Sequence, residues 1–299
     1  MSDWLNRTRK RVNRLSLTGT ARFIKFLSRI IPYGPGVRAG AAIGFGAYYL
    51  LSRERKRAIT HLTQVFPDKS RSWIRRTARR CFVHLGKSLL EIMLISPSHL
   101  DRIIEFRGEE QLRAAVDRGK GVIFVTGHIG NWEIMGHAVA ARYNLSVVAT
   151  PIEPESVNDM IVGLRADMGV RTILRGRPGA SRELIKVFRE NRILGILIDQ
   201  DTDVESAFVD FMGRPARTPT AAASMALKFD APVLFGYIRR NSNKRHTIMI
   251  EGPLKLVRTG DDEKDIVTNT AMLTEKMEEA IRIEPEQWVW MHRRWRRQP

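Results

Sequence analysis

The sequence holds a single cysteine, Cys81, in 299 residues, so it can form no internal disulfide and nothing points to an oxidising compartment. Cys81 lies in the apolar helical pattern CFVHLGKSLLEIML and reads as a small buried hydrophobe rather than a catalytic thiol. There is no long hydrophobic run. AGAAIGFGAYYLLS, residues 39–52, is bounded by Arg38 and Arg53, and it falls short of the roughly 20 apolar residues that a spanning helix needs. It reads as a buried or interfacial helix, with a single tilted span as the alternative. No clean secretory signal is visible, because Arg22, Lys25 and Arg29 interrupt the apolar stretches behind the basic N-terminus. Internal repeats and low-complexity blocks are absent.

Acidic residues are scarce: 32 against 50 Lys and Arg, a net charge of +18 and a pI near 10.7. Such an excess says little about fold but directs attention to nucleic acid, an anionic membrane or acidic substrates as partners. Within residues 1–57, thirteen Lys or Arg face only Asp3 and Glu54, a local excess of +11. An uneven distribution favours a localised contact over general solubility. In TARFIKFLSRII, residues 20–31, Phe23, Phe26, Leu27 and Ile30 share one helical face while Arg22, Lys25 and Arg29 gather beside it. That is the pattern of a helix lying in a membrane interface; the plainer reading is a helix packed on the domain. IPYGPG, residues 31–36, breaks this helix from the next. The chain divides into a basic, membrane-associating segment at 1–52 and an α/β domain at 53–299.

A hydrophobic fraction of 43% supports a sizeable core. Residues 53–98 read as helical, with a turn at Pro67 to Lys69 and Ser70 capping a long helix through Met93. From Ile103 onward short apolar runs alternate with helical stretches: IIEF, GVIFV, LSVVA, RTIL, ILGILI, PVLFGYI and TIMIEG are the strands. This alternation predicts a mostly parallel central sheet flanked by helices.

Chemistry concentrates in TGHIGNWE, residues 126–133, where GVIFV hands over to a helix. Loops at strand ends carry function, and open α/β sheets bind ligands at the carboxyl ends of their strands. On one continuous helix His128 and Glu133 would point about 140° apart. They converge only if His128 lies in the loop and Glu133 in the first turn. Gly127 and Gly130 give the bend its freedom, and Asn131 is a suitable N-cap. The expectation is a carboxylate that orients an imidazole. No G-x-S-x-G elbow and no nearby cysteine supplies a nucleophile, which leaves a substrate hydroxyl for His128 to deprotonate. Backbone N–H groups near Gly130 and Asn131 are the candidate oxyanion donors. His128, Glu133, His137 and Asp199 offer metal-ligand types, but the spacing matches no H-E-x-x-H or Cys-His pattern, so no metal or cofactor is expected. His137 reads as helix packing.

H-x4-E after a strand, RGRPG at 175–179, LIDQD at 197–201, FMGRPARTPT at 211–220 and PEQWVWMHRRW at the end together resemble the lipid A biosynthesis lauroyl/myristoyl acyltransferases, within the wider lysophospholipid and glycerolipid acyltransferase group. RERKRAITHLTQVFPDKS resembles the segment before that family's first long helix, although His61-Leu62 stands where Asn-Leu is expected. The resemblance runs from about residue 35 to residue 297. It implies acyl transfer from an acyl-carrier-protein thioester to a hydroxyl of a lipid A precursor, at the cytoplasmic face of the bacterial inner membrane. It matches His128 and Glu133 to the family's histidine and acid. Another glycolipid or lysophospholipid acceptor, or an acyl-CoA donor, stays open.

The charge fits that picture, because an acidic carrier protein and a phosphorylated glycolipid both suit a basic enzyme. Arg175 and Arg177, after the RTIL strand, could meet phosphate or be solvated loop charge. Asp199 and Asp201 could bind sugar hydroxyls, orient the acceptor or cap their loop. Phe208, Phe211 and Met212 read as acyl groove or core, and Thr218 and Pro219 as N-cap and N1 of a helix. The tail MHRRWRR fits an interface belt or an anionic lipid contact. A basic binding module without chemistry is the reading from another class. It leaves TGHIGNWE unexplained, and no usual nucleic-acid motif appears.

Overall fold

The computed structural model describes residues 31–242 and 245–299. The amphipathic pattern at 20–31 therefore falls outside the described residues, apart from Ile31. Among the described residues three helices come first: α1 (Tyr33–Leu50), α2 (Ser52–Val65) and α3 (Arg71–Leu94). Ser70 caps α3, accepting the Trp73 N–H at 3.2 Å. The Pro-Gly segment breaks the chain only as far as Pro32, since Gly34, Pro35 and Gly36 form the first turn of α1. Gly36, Gly40 and Gly44 make a smooth stripe on α1. A Cβ on Gly40 would stand 2.4 Å from the Gly86 carbonyl oxygen, and one on Gly44 2.2 Å from that of Phe82. The two helices thus meet backbone to backbone, which only glycine permits. The opposite face of α1 stays apolar and exposed. Among the described residues no helix is long and apolar enough to cross a membrane.

The remainder alternates strands and helices. In order they are α4 (Pro97–Ile103), β1 (Ile104–Arg107), α5 (Glu109–Val116), β2 (Val122–Thr126), α6 (Trp132–Ala140), β3 (Leu145–Ala149), α7 (Glu155–Asp167), β4 (Arg171–Leu174), α8 (Ala180–Arg189) and β5 (Ile193–Leu197). Then come β6 (Ser206–Asp210), β7 (Pro215–Pro219), α9 (Ala221–Phe229), β8 (Val233–Arg240), β9 (His246–Glu251) and α10 (Asp262–Ile283). Seven strands form one sheet in the order β1-β9-β8-β2-β5-β3-β4. All neighbours are parallel except β8 and β9. The sheet is buried on both faces: Ile123 and Val125 of β2 enter one core, Val122 and Phe124 the other. This two-sided burial is why the strands read as continuous apolar runs.

One element departs from the sequence reading. β6 and β7 pair as an antiparallel hairpin. Thr218 and Pro219 lie in β7, and the helix starts two residues later with Thr220 at its N-cap. Thr218 is fully buried and its hydroxyl accepts from Arg294 at 2.6 Å. Phe211 and Met212 are core residues, 0% and 5% exposed, so neither lines an open groove. The tryptophans of the C-terminal segment are likewise interior, although Arg293 and Arg296 are exposed. Trp288, Trp290, Trp295 and Arg294 are buried, which overturns the interface belt. Cys81 is buried as expected, donating to the Trp288 carbonyl at 3.0 Å, and burial pushes its thiol up to about 12.

Candidate active site

β2 and β5 are neighbours in the sheet. Their carboxyl ends therefore bring residues 126–131 against residues 198–201. His128 sits in the loop, its side chain 18% exposed, and Asp199 lies beneath it with no exposure. Asp199 Oδ1 accepts from His128 Nδ1 at 2.7 Å. Asp199 Oδ2 accepts the His128 backbone N–H at 2.8 Å and the Trp288 indole N–H at 2.8 Å. Burial alone would favour a neutral carboxyl. The His128 imidazole and these donors win, holding Asp199 well below the usual carboxylate range. An ionised Asp199 can only accept, so Nδ1 carries a proton, and in the neutral ring the lone pair falls on Nε2.

Asp199, not Glu133, is thus the group that orients His128. Glu133 does lie in the first turn of α6, as read from the sequence, but it forms a bidentate pair with Arg165 of α7. Arg165 Nε meets Oε2 at 2.9 Å and a terminal nitrogen meets Oε1 at 2.5 Å. Burial pushes the Glu133 pKa up, but the Arg165 guanidinium outweighs it and keeps the carboxylate ionised. A guanidinium competes for a carboxylate better than a neutral imidazole does, because both of its hydrogen bonds are charge-assisted.

The oxyanion expectation also changes. The Gly130 N–H donates to the Gln287 carbonyl at 2.8 Å, and the Ile129 N–H to the Gly127 carbonyl at 2.8 Å. With the His128 N–H on Asp199, the backbone donors of 128–130 are all taken, so Gly130 leaves the oxyanion expectation while the Asn131 N–H stays in it. Gly130 has another reason to be glycine: at φ 63° a Cβ would stand 1.9 Å from the Ile238 carbonyl oxygen. Asn131 is the N-cap of α6, its Oδ1 accepting from the Ile134 N–H at 3.4 Å. Its amide nitrogen donates to Glu91 at 2.9 Å and to the Ser88 carbonyl at 3.3 Å.

Glu91 anchors a buried network behind this loop. Its side chain is 1% exposed and is paired through both oxygens with Arg240. Tyr33 at the start of α1 donates to Glu91 Oε1 at 2.8 Å. His246 Nε2 lies 3.3 Å from the same oxygen. The network ties α1, α3, β8 and β9 to the cap of the helix that follows His128.

Asp201 does not present itself to a substrate. Its carboxylate is closed off among Arg217, Arg296 and Arg297, at 3.4, 3.6 and 3.5 Å. Arg175 is half-buried at the end of β4, and Arg177 is exposed, 3.4 Å from Glu155. Both lie on the same sheet edge as His128, three strands away, or about 14 Å at ordinary strand spacing.

Sequence reasoning missed two groups. His292 packs edge-on to His128 with ring centroids 4.9 Å apart, and Gln200 lies between the two rings. Burial first, and His128 second, push His292 down to about 4. The only signal was the histidine inside MHRRW, which the charge of that tail obscured. His292 completes a cluster of metal-ligand types with His128 and Asp199. Both Asp199 oxygens already accept N–H donors. Glu133 is committed to Arg165. His137 is buried, its ring nitrogens unpartnered among the described residues, and burial pushes it down to about 4; it is helix packing, as expected.

A family model for bacterial lipid A biosynthesis acyltransferases matches residues 11–297. A phosphatidylinositol mannoside acyltransferase of Mycobacterium tuberculosis is 30% identical over 138 residues, covering 45% of this chain and 43% of that protein. The chain therefore aligns with less than half the length of that relative. A lipid A biosynthesis acyltransferase of Haemophilus influenzae is 24% identical over 278 residues, 90% of this chain and 84% of the relative. A lipid A biosynthesis lauroyltransferase of Escherichia coli is 22% identical over 282 residues, 90% and 88% of the two chains.

Proposed function

The chain belongs to the bacterial lipid A biosynthesis acyltransferase family, and from that premise we propose that it moves a fatty acyl chain from a carrier-protein thioester to a hydroxyl of a phosphorylated glycolipid. The observation that carries this is the Asp199–His128 pair, 2.7 Å apart, with no protein nucleophile beside it. Among the described residues no serine, threonine or cysteine bonds to the His128 ring. Nε2 takes the acceptor's hydroxyl proton as that oxygen bonds to the thioester carbon, whose π pair moves onto the carbonyl oxygen. Collapse breaks the C–S bond. The departing thiolate recovers the proton from Nε2, leaving an ester, a thiol and a neutral His128. Asp199 stays ionised throughout and stabilises the imidazolium. Glu133 contributes through Arg165, fixing the start of α6 against α7. Arg175 and Arg177 are the residues assigned to acceptor phosphate.

Two acceptors have support. Near-complete coverage of the enterobacterial relative favours a lipid A precursor. The higher identity to the mycobacterial protein favours a mannosylated phosphoinositide. The test is acyl transfer by purified, detergent-solubilised chain with both acceptors and with carrier-protein and coenzyme A donors. Product from the wild type is expected, with His128→Ala at least about a hundredfold slower while remaining folded. Equal rates in the two proteins would remove the mechanism.

The same reading places the protein at the cytoplasmic face of the inner membrane, held peripherally or monotopically by the α1 face. Ile43, Phe45, Tyr49, Leu50 and Leu51 are exposed there, Leu50 at 82%. Arg38, Arg53 and Lys56 are exposed around them, and Arg79 lies over Phe45. Inserting each leucine stabilises binding by about 1.5–3 kcal/mol at most. Leu50→Glu/Leu51→Glu is therefore expected to lower flotation with phosphatidylglycerol vesicles about tenfold or more. Unchanged flotation would move the contact to another face.

A further inference from the structure

With the backbone N–H groups of residues 128–130 occupied, the Asn131 N–H is what the loop leaves for the negative charge that develops on a thioester oxygen, and further donors have to come from side chains. We infer that the side chains of His292 and Gln200 supply them, so that His292 is a second catalytic histidine and the oxyanion site draws on side chains. This rests on the thioester reading above.

Three observations carry the inference. The first is position. The Gln200 amide nitrogen lies 3.1 Å from His128 Nε2 and 3.0 Å from His292 Nε2. An acyl carbon meeting a hydroxyl held by Nε2 comes within reach of both groups.

The second is direction. The same amide nitrogen is 3.3 Å from His128 Nδ1 and 3.1 Å from His292 Nδ1. A donor aimed along the in-plane lone pair of one ring nitrogen would stand much further from the other. The amide therefore sits against the rings rather than on a nitrogen axis. That leaves the His128 lone pair open to a hydroxyl. It also leaves the His292 N–H without an acceptor, since Gln200 presents it with another donor. Among the described residues no hydrogen bond from a His292 ring nitrogen to an oxygen is found. A half-buried N–H without a partner costs stability unless something fills the place. Here the missing group is an acceptor oxygen at the reacting centre.

The third is fixation. Arg57 donates to the Met291 carbonyl at 2.9 Å and His61 to the Trp290 carbonyl at 2.9 Å. Helix α2 thus holds the two peptide groups just before His292. This gives His61 a role at the position where asparagine was expected. Trp288, four residues before His292, is bonded to Asp199. The donor is thereby fixed relative to the base it serves, as preorganised stabilisation requires. Burial keeps the ring neutral, so it donates one N–H without placing a second cation beside the His128 imidazolium.

The test separates this inference from the acceptor question. With the full chain in detergent and an active acceptor, His292→Leu and Gln200→Leu are each expected to lower kcat about 10²–10³-fold, with KM for donor and acceptor nearly unchanged. His292→Asn, which restores an N–H, should recover a large part of the loss. Wild-type kcat in His292→Leu, or a loss confined to KM, would overturn the assignment. The second arm needs no acceptor. A dodecanoyl-pantetheine thioester labelled with ¹³C at the carbonyl is bound to the wild type and to both leucine variants and examined by infrared difference spectroscopy. The wild type should pull the carbonyl stretch to lower frequency, and the variants should return it towards the solution value. Equal frequencies in all three proteins, or no displacement in the wild type, would sink the proposal. Failure of the wild type to acylate either glycolipid would instead count against the acceptor reading, with the infrared result still deciding this one.

Discussion

Asp199→Asn is expected to lower acyl transfer by about 10³–10⁴-fold while leaving the protein folded. The carboxylate accepts three N–H groups, from the His128 ring, the His128 backbone and the Trp288 indole. A carboxamide has one accepting oxygen. That oxygen can keep the backbone and indole donors on its own side. Its NH₂ then faces Nδ1 and can only donate, so Nδ1 must become the acceptor and the ring proton moves to Nε2. The nitrogen that should take the hydroxyl proton then already carries one. The shape and volume of the side chain hardly change, so thermal unfolding should stay close to that of the wild type. The measurement is kcat with matched unfolding curves. Near-wild-type turnover in Asp199→Asn would mean that tautomer control is not what Asp199 contributes. Glu133→Gln is the natural comparison, because it weakens an Arg165 pair without touching the His128 tautomer.

The largest stability effect is expected at Glu91. Glu91→Leu should destabilise the fold by about 3–5 kcal/mol, because the largely buried Arg240, its side chain 11% exposed, loses both of its carboxylate bonds. Tyr33, Asn131 and His246 lose an acceptor at the same time. The melting temperature should fall by roughly ten degrees. The double variant Glu91→Leu/Arg240→Leu should recover part of this, since removing both charges removes the stranded guanidinium. A melting temperature unaffected by Glu91→Leu would show that Arg240 finds solvent or another partner. Turnover should suffer beyond what the lost stability explains, because Asn131 would lose the bond that fixes its amide.

How much of this was legible in the sequence follows from which interactions are local. The apolar runs Val122–Thr126 and Ile193–Leu197 announced themselves as strands because a two-sided sheet leaves no polar face to interrupt them. The β6–β7 hairpin was hidden because Thr-Pro before an alanine run is also a sound helix start. The tail looked like an interface belt because arginine beside tryptophan is ambiguous until burial is known. Trp295 and Arg294 turned out to be 8% and 1% exposed.

The proposed base could be read from one strand end and two glycines, since a histidine in that loop needs no distant residue to be exposed. Its partner could not. Glu133 was five residues away and Asp199 is 71, yet the nearer acid is taken by Arg165. Sequence alone determined most of the elements, the loop that carries His128, the basic excess and the family. Strand order decided the rest. By laying β5 beside β2, the tertiary structure placed Asp199 under His128, and by folding the C-terminal segment inward it brought His292 to the same centre. Neighbours across a parallel sheet are chosen by topology, and no local periodicity records that choice.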